Sequence, residues 1–159
     1  MEICTEMETL YAYLAGAIDI DGRIFIARAQ GYRRRMDGRQ IPYYMATIAL
    51  SDSSSVVPDL LQATFPARRS EYEAKNRRQT AWHMWEAVNH SAHEPIVRLL
   101  PYLRVKRRQG ELALTLINLI EREKAGSGRP LTEEQEQARA LLYDEALRLN
   151  EGRPNRTYR

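Results

Sequence analysis

The chain has 159 residues, of which 43% are hydrophobic and 28% are charged, so the composition predicts one folded domain with a core of its own. It contains one cysteine and no apolar run long enough to cross a bilayer, which excludes an intrachain disulfide and a thiolate metal cluster and predicts no membrane partner. The formal net charge is +3 at pH 7, and it is unevenly distributed.

The charged residues are segregated along the chain. Residues 1–22 contain five acidic residues and no basic one, whereas residues 23–109 contain 16 Lys and Arg against seven Asp and Glu. Residues 110–159 are nearly balanced, with eight basic and nine acidic residues. A basic middle segment predicts an anionic partner, and a solvated arginine-rich surface is the alternative that charge alone leaves open.

The first predicted element is a helix over 8–18, in which Leu10, Leu14 and Ile18 recur at helical spacing. The acidic segment before it, MEICTEMETL, lacks the basic and apolar parts of a signal peptide, so we expect an intracellular protein. Gly16 lies inside the helix, where it costs roughly 1 kcal/mol relative to Ala. A glycine there indicates close approach of another backbone.

Two hairpins and four further helices follow. Segments 23–30 and 41–50 are typical of strands, and the basic, turn-rich stretch GYRRRMDGRQ joins them. A short helix with Pro58 in its first turn precedes a second hairpin over 68–88 that turns at 76–79. Helices are predicted over 94–100, over 102–124 and from Thr132 to about Asn150. This order predicts an α+β fold, with a four-stranded antiparallel saddle sheet and helices on one face.

The stretch LAGAIDIDG, residues 14–22, carries two aspartates to the C-terminal end of the first helix. The helix macrodipole disfavours negative charge at that end, so a positive group is expected beside Asp19 and Asp21. We predict that this group is a metal ion.

LAGAIDIDG resembles the signature of the LAGLIDADG homing endonucleases at seven of its nine positions. The order of elements is similar to the family's αββαββα unit, and LLPYLRVKRRQGELAL at 99–114 is similar to its segment from a proline through a lysine into a long helix. The resemblance covers about residues 8–124. It implies an endonuclease domain over 1–125. The remaining sequence predicts a C-terminal helix over 126–150 packed on that domain and a disordered basic tail over 151–159.

The resemblance implies a site-specific endonuclease that makes double-strand breaks in a long, near-palindromic DNA by divalent-metal-dependent hydrolysis. Only one signature occurs, so a homodimer is expected. By the same resemblance, Asp21 and the backbone carbonyl of Ile20 would hold Mg²⁺, and Lys106 would act in catalysis. We expect Mn²⁺ to substitute and Ca²⁺ to support binding without cleavage. The supporting residues would be Asp19, Gly22, Ser51 and Asp52.

Two surfaces are predicted beside that site. The dimer interface is assigned to the signature residues Leu14, Ala15, Gly16 and Ile18. The DNA-contacting residues are assigned to the hairpins and the segment after Lys106, namely Arg23, Phe25, Arg28, Arg33, Arg35, Arg39, Gln40, Tyr44, Arg69, Lys75, Arg77 and Arg107. Strand alternation places Arg28 on the face opposite Arg23, so its assignment needs a bulge.

One position departs from the family pattern. Many members carry Gln or Asn near the end of the second strand, where this chain has Leu50, which can neither donate nor accept a side-chain hydrogen bond. The alternative function is therefore a non-cleaving nucleic-acid-binding module on the same scaffold, either an intron RNA maturase or a DNA-binding regulator. The expected location is the cytoplasm of a bacterium or phage host, or an organelle if a plastid or mitochondrial intron encodes the protein.

Overall fold

The computed structural model of the protein describes residues 2–34, 40–76, 80–124 and 131–151, with the backbone alone for 2–4, 30–34, 40 and 124. The elements, in chain order, are α1 (Glu2–Ile20), β1 (Gly22–Arg34), β2 (Gln40–Asp52), α2 (Val56–Thr64), β3 (Arg68–Tyr72), β4 (Trp82–Val88), α3 (His90–Leu99), α4 (Arg107–Lys124) and α5 (Glu133–Asn150). The predicted order of elements and the α+β class are confirmed.

The four strands form one antiparallel sheet in the order β1-β2-β4-β3. Side chains alternate between its two faces, and the register aligns Ile24, Ile48 and Ala87 in a buried row on the face that the helices cover. We call the opposite side the open face. By register it carries Arg23, Phe25, Ala27 and Ala29 of β1, Tyr43, Met45, Thr47, Ala49 and Ser51 of β2, Trp82, Met84, Glu86 and Val88 of β4, and Arg68, Ser70 and Tyr72 of β3.

The junction between α1 and β1 requires a glycine. A Cβ atom at Gly22 would lie 2.7 Å from the backbone Cα of Ile18 and 2.9 Å from its carbonyl oxygen, both closer than real contacts allow. Backbone atoms of a helix cannot move aside as a flexible side chain can. Gly22 therefore lets β1 begin directly against the last turn of α1, which fixes the position of Asp21 between the two elements.

The last helix begins at a local cap and is tied to the domain through its middle turns. Thr132 caps α5 through a reciprocal capping box with Gln135, as the sequence predicts for a helix that opens there. Arg139 of α5 forms a buried ion pair with Glu123 of α4. The ring of Tyr143 packs on Tyr44 of β2 at a centroid distance of 5.7 Å, so α5 covers one end of the sheet.

Three helices differ from their predicted bounds, and the first of them, predicted over 8–18, spans Glu2–Ile20. The predicted helix over 102–124 begins at Arg107, because the preceding backbone N–H groups bond to Asp19 instead of continuing a helix. The helix predicted over 94–100 begins earlier, at His90, after Asn89 has turned the chain with a φ of 50°. In the described part of the chain, none of the helices combines the length and apolarity that a membrane span requires.

Candidate functional site

The C-terminal end of α1 and the N-terminal end of α4 cap each other through two side chains. The carboxylate of Asp19 accepts backbone N–H bonds from Arg104 at 2.7 Å, Val105 at 3.1 Å and Lys106 at 2.9 Å. In return, the Nζ of Lys106 donates to the carbonyl oxygen of Ile18 at 2.8 Å and to that of Asp19. We call this reciprocal arrangement of Asp19 and Lys106 the clasp.

The clasp satisfies the charge at both helix ends. Burial alone would raise the pKa of Asp19, but the three N–H donors and the Lys106 ammonium hold that pKa below its ordinary value. Lys106 is only 2% exposed, and its positive charge lies where the macrodipole of α1 favours a cation. A lysine and a helix N-terminus therefore balance the charge of Asp19, which agrees with the supporting role predicted for it and leaves Asp21 as the predicted metal ligand.

Asp21 differs from Asp19 in its exposure to solvent. Its side chain is exposed, and its backbone N–H donates to the Ala17 carbonyl at 2.9 Å, which ends the hydrogen-bonding of α1. Across the described residues, no three His, Cys, Asp or Glu side chains lie close enough together to hold a metal ion. Mg²⁺ commonly takes only one or two protein carboxylates and completes its shell with water and substrate phosphates. The exposed carboxylate of Asp21 can therefore supply one of the one or two protein ligands that a magnesium site requires.

The predicted dimer interface needs correction. Leu14, Ala15 and Ile18 are fully buried in the core of their own chain, so their side chains cannot contact a second copy. Gly16 remains accessible, since a Cβ atom added there would meet nothing within 4 Å. Within the described parts of the chain, no backbone makes the close approach predicted at Gly16.

α1 has a second apolar face that the described residues leave uncovered. Tyr13, Gly16 and Ile20 recur at helical spacing on it, with Tyr13 53% and Ile20 78% exposed. Sequence reasoning missed Tyr13 and the side chain of Ile20. Extending the helical periodicity to the side opposite Leu14 and Ile18 would have identified both.

The other supporting residues lie near the end of β2. Leu50 is buried on the helix-covered face, where it pairs with Gly22 on one side and Trp85 on the other. Ser51 is exposed on the open face. Asp52 is engaged in a local turn, because its Oδ1 accepts from the hydroxyl of Ser53 at 3.4 Å and the N–H of Ser54 at 3.3 Å. Of the three, Ser51 has the accessible polar group.

The open face accounts for part of the predicted DNA contacts. Arg23 and Phe25 lie on it, as alternation predicts. The register shows no bulge between Gly22 and Gln30, so Arg28 lies on the helix-covered face and its assignment is corrected. Tyr44 is also corrected, since it is buried on that face under Tyr143 of α5.

Arg69 is a further correction. Its guanidinium donates twice to Oδ1 of Asp59 in α2, at 2.8 and 3.0 Å, and once to the Ser70 carbonyl at 2.7 Å. These bonds tie β3 to α2 on the helix-covered face, and the Arg69 side chain is only 19% exposed. Arg69 is therefore structural.

Of the remaining residues predicted to contact DNA, two are described by the structure, and the side chains of the others are not. Lys75 is exposed in the loop after β3, and Arg107 is paired with Glu111 of its own helix at 3.4 Å. Arg35, Arg39 and Arg77 lie outside the described residues, as do the side chains of Arg33 and Gln40. Sequence reasoning also missed Glu86 on the open face, which period-two alternation along β4 would have placed there.

Comparison with known proteins identifies the fold. No protein-family model matches the sequence, and no curated protein matches it. A crystal structure of the homing endonuclease I-CvuI, in complex with the I-CreI target and with the DNA not cleaved in Mg, has a TM-score of 0.72 and 19% identity. The match covers 94% of this chain and 87% of that chain.

Other homing endonucleases give the same result. The archaeal intron-encoded I-Vdi141I complexed with DNA has a TM-score of 0.61 and 16% identity, covering 94% of this chain and 88% of that chain. I-TnaI has a TM-score of 0.59 and 11% identity, covering 88% and 92%. The chain has the fold of the LAGLIDADG homing endonucleases, and the resemblance recognised from the signature is confirmed at that level.

Proposed function

We propose that this protein is a site-specific DNA endonuclease that acts as a homodimer and cleaves with a divalent metal ion. One observation carries the proposal. The exposed carboxylate of Asp21 lies where the uncovered apolar face of α1 ends and the open face of the sheet begins at Arg23. A dimer surface, a metal ligand and a DNA surface therefore adjoin one another at a single point of the chain.

The uncovered face of α1 supports pairing with a second copy. Between Leu10 and Ile18, α1 is apolar on all sides, and such a segment is stable when all of it is covered, whereas the described residues cover only the Leu14–Ile18 side. Gly16 leaves room for a second α1 to approach closely. Symmetric pairing would bring two Asp21 carboxylates together, and their repulsion favours binding of a cation. Two-fold symmetry also makes a near-palindromic DNA the matching target.

The chemistry assigned to the chain's own residues is limited. A bound Mg²⁺ would supply Lewis-acid stabilisation for phosphodiester hydrolysis, with the Asp21 carboxylate as its protein ligand and the Ile20 carbonyl as a second candidate. Lys106, which the resemblance assigns to catalysis, is 2% exposed and held by the carbonyls of Ile18 and Asp19, so we assign it instead to neutralising and fixing the end of α1. The clasp thereby holds rigid the helix end from which Asp21 projects.

The open face supports the assignment of duplex DNA as partner. Arg23, Tyr43, Ser51 and Arg68 lie exposed or half-exposed on it, and the fold neighbours I-CvuI and I-Vdi141I have structures in complex with DNA. Because Lys and Arg displace counterions from phosphates, we expect affinity to fall steeply with salt concentration.

The test is cleavage of the DNA that flanks the reading frame, rejoined without the insertion and cloned in a plasmid. We expect the purified protein to linearise this plasmid with Mg²⁺ or Mn²⁺, and to bind it without cutting in Ca²⁺. Asp21→Asn should lower cleavage at least a hundredfold while binding persists. Glu6→Gln, an exposed acid on the same helix, is the matched control and should cut normally.

A non-cleaving nucleic-acid-binding module is the second candidate, and Leu50 favours it. The buried leucine leaves no hydrogen-bonding side chain at the position where many members of the family carry Gln or Asn. Tight binding of the rejoined site with no cutting in Mg²⁺ or Mn²⁺ would establish this second function and exclude the first.

A further inference from the structure

One row of residues crosses all four strands on the open face. The register aligns Arg23 of β1 with Ala49 of β2, Ala49 with Glu86 of β4, and Glu86 with Arg68 of β3. The row starts two residues after Asp21, so it crosses the part of the sheet nearest the candidate metal ligand. It places one carboxylate between two arginines.

Glu86 carries a negative charge on a face that is proposed to bind DNA. Among the described residues of the open face it is the only acid, and a carboxylate there opposes binding of phosphates. Its side chain is 16% exposed, whereas that of its partner Arg68 is 73% exposed, with Nη1 of Arg68 3.6 Å from Oε2 of Glu86. The Glu86 carboxylate thus lies close to the surface of the sheet, and the Arg68 guanidinium lies beside it on the solvent side.

We propose that Glu86 is a specificity-determining residue, which holds the guanidinium of Arg68 in the orientation that reads a guanine in the major groove of the target. The inference rests on the proposed function, since it needs a DNA target. Arg is the side chain that pairs bidentately with the O6 and N7 of guanine, and a fixed fork makes that pairing selective. A carboxylate underneath restrains the fork and offsets the non-specific attraction of Arg68 to phosphates.

The arrangement of Arg68 favours base contact over phosphate contact. An arginine kept only for phosphate binding gains nothing from an adjacent carboxylate, which lowers its attraction to DNA. An arginine that reads a base binds more favourably when it is already oriented, because its side chain then loses less conformational freedom on binding. Glu86 occupies a central strand and Arg68 the neighbouring edge strand, so the pair lies within the sheet and not at a loop tip.

The experiment is selection of binding sites from a library of randomised DNA duplexes in Ca²⁺. We expect the wild-type protein to enrich a guanine at one position of each half-site. Glu86→Gln keeps the shape of the side chain and removes its charge, and it should lower the preference for guanine over adenine at that position about tenfold. Arg68→Lys keeps the charge but loses the fork, so it should lower the same preference at least as much.

The controls separate specificity from folding and general affinity. Glu94→Gln, in an exposed pair with Arg98 at 3.9 Å on α3, should leave the selected site unchanged. Glu86→Gln should bind unselected DNA at least as tightly as the wild type, because a negative charge has been removed. The double variant should lose no more preference than Arg68→Lys alone, since both changes act through one guanidinium.

Three outcomes are decisive. An unchanged base preference in both variants would overturn the inference while leaving the proposed function intact. Loss of a preference for cytosine in Glu86→Gln, with the guanine preference retained, would also overturn it, because Glu86 would then read a base itself. A wild-type protein that binds no duplex at all would instead refute the proposed function.

Discussion

The two aspartates of the signature, Asp19 and Asp21, lie two residues apart in one helix end but in opposite environments. Asp19 is buried, accepts three backbone N–H bonds and lies beside the Lys106 ammonium. Asp21 is exposed at the junction with β1. The difference shows how the two carboxylates divide the work. Asp19 fixes the end of α1 through buried hydrogen bonds, and Asp21 extends from that fixed end into solvent. The motif thus combines a structural carboxylate with an available one.

The largest expected effect comes from removing each carboxylate in turn. Asp19→Ala leaves three N–H groups of the segment before α4 without their acceptor and the Lys106 charge without its partner, so we expect a loss of about 2–4 kcal/mol in the free energy of unfolding. Asp21→Ala removes an exposed group and should change that free energy by less than about 0.5 kcal/mol. Urea unfolding followed by far-UV circular dichroism measures both. Equal losses in the two variants would mean that the contrast between the aspartates does not exist in solution.

A smaller effect is expected from pH. The pKa of Asp19 is lower in the folded than in the unfolded state, so its contribution to stability is fully present above the unfolded value of about 3.9 and is lost as pH falls through the folded value. Comparing the unfolding free energies of wild type and Asp19→Asn at several pH values isolates this contribution. The difference should be constant from pH 8 to pH 5 and shrink below about pH 4. A difference that grows on acidification would contradict the lowered pKa.

The smallest effect on the stability of the single chain is expected on the uncovered face of α1. Ile20→Glu places a charge where 78% of the side chain is already exposed, so the monomer should lose less than about 0.5 kcal/mol. The proposed dimer should nevertheless dissociate, since the two charges would be buried against each other. Leu141→Glu, at a 63% exposed position of α5, is the matched control and should leave the dimer intact. Sedimentation equilibrium measures the outcome, and a monomeric wild type at working concentrations would refute pairing through α1.

Local pattern was sufficient for most of the fold. The order of the elements follows from periodicity and turn residues, and Thr132 was recognisable as a helix cap because capping depends on residues three apart. Strand alternation correctly separated Ile24 from Arg23 and placed Arg28 on the helix-covered face. The errors at Tyr44 and Arg69 have a different origin. Residue type suggested contact with DNA, but Tyr143 and Asp59 on distant elements bind these side chains.

The sequence by itself determined the helix that ends in two aspartates, the order of strands and helices, and the resemblance to one endonuclease family, because each depends on residues close together in the chain. Only the tertiary structure decided which aspartate is available and which face of α1 is uncovered. Asp19 is satisfied by N–H groups 85 to 87 residues away, and Lys106 returns to the end of α1 across the same separation. Hydrogen bonds between segments so distant depend on how the elements pack, which no local pattern encodes.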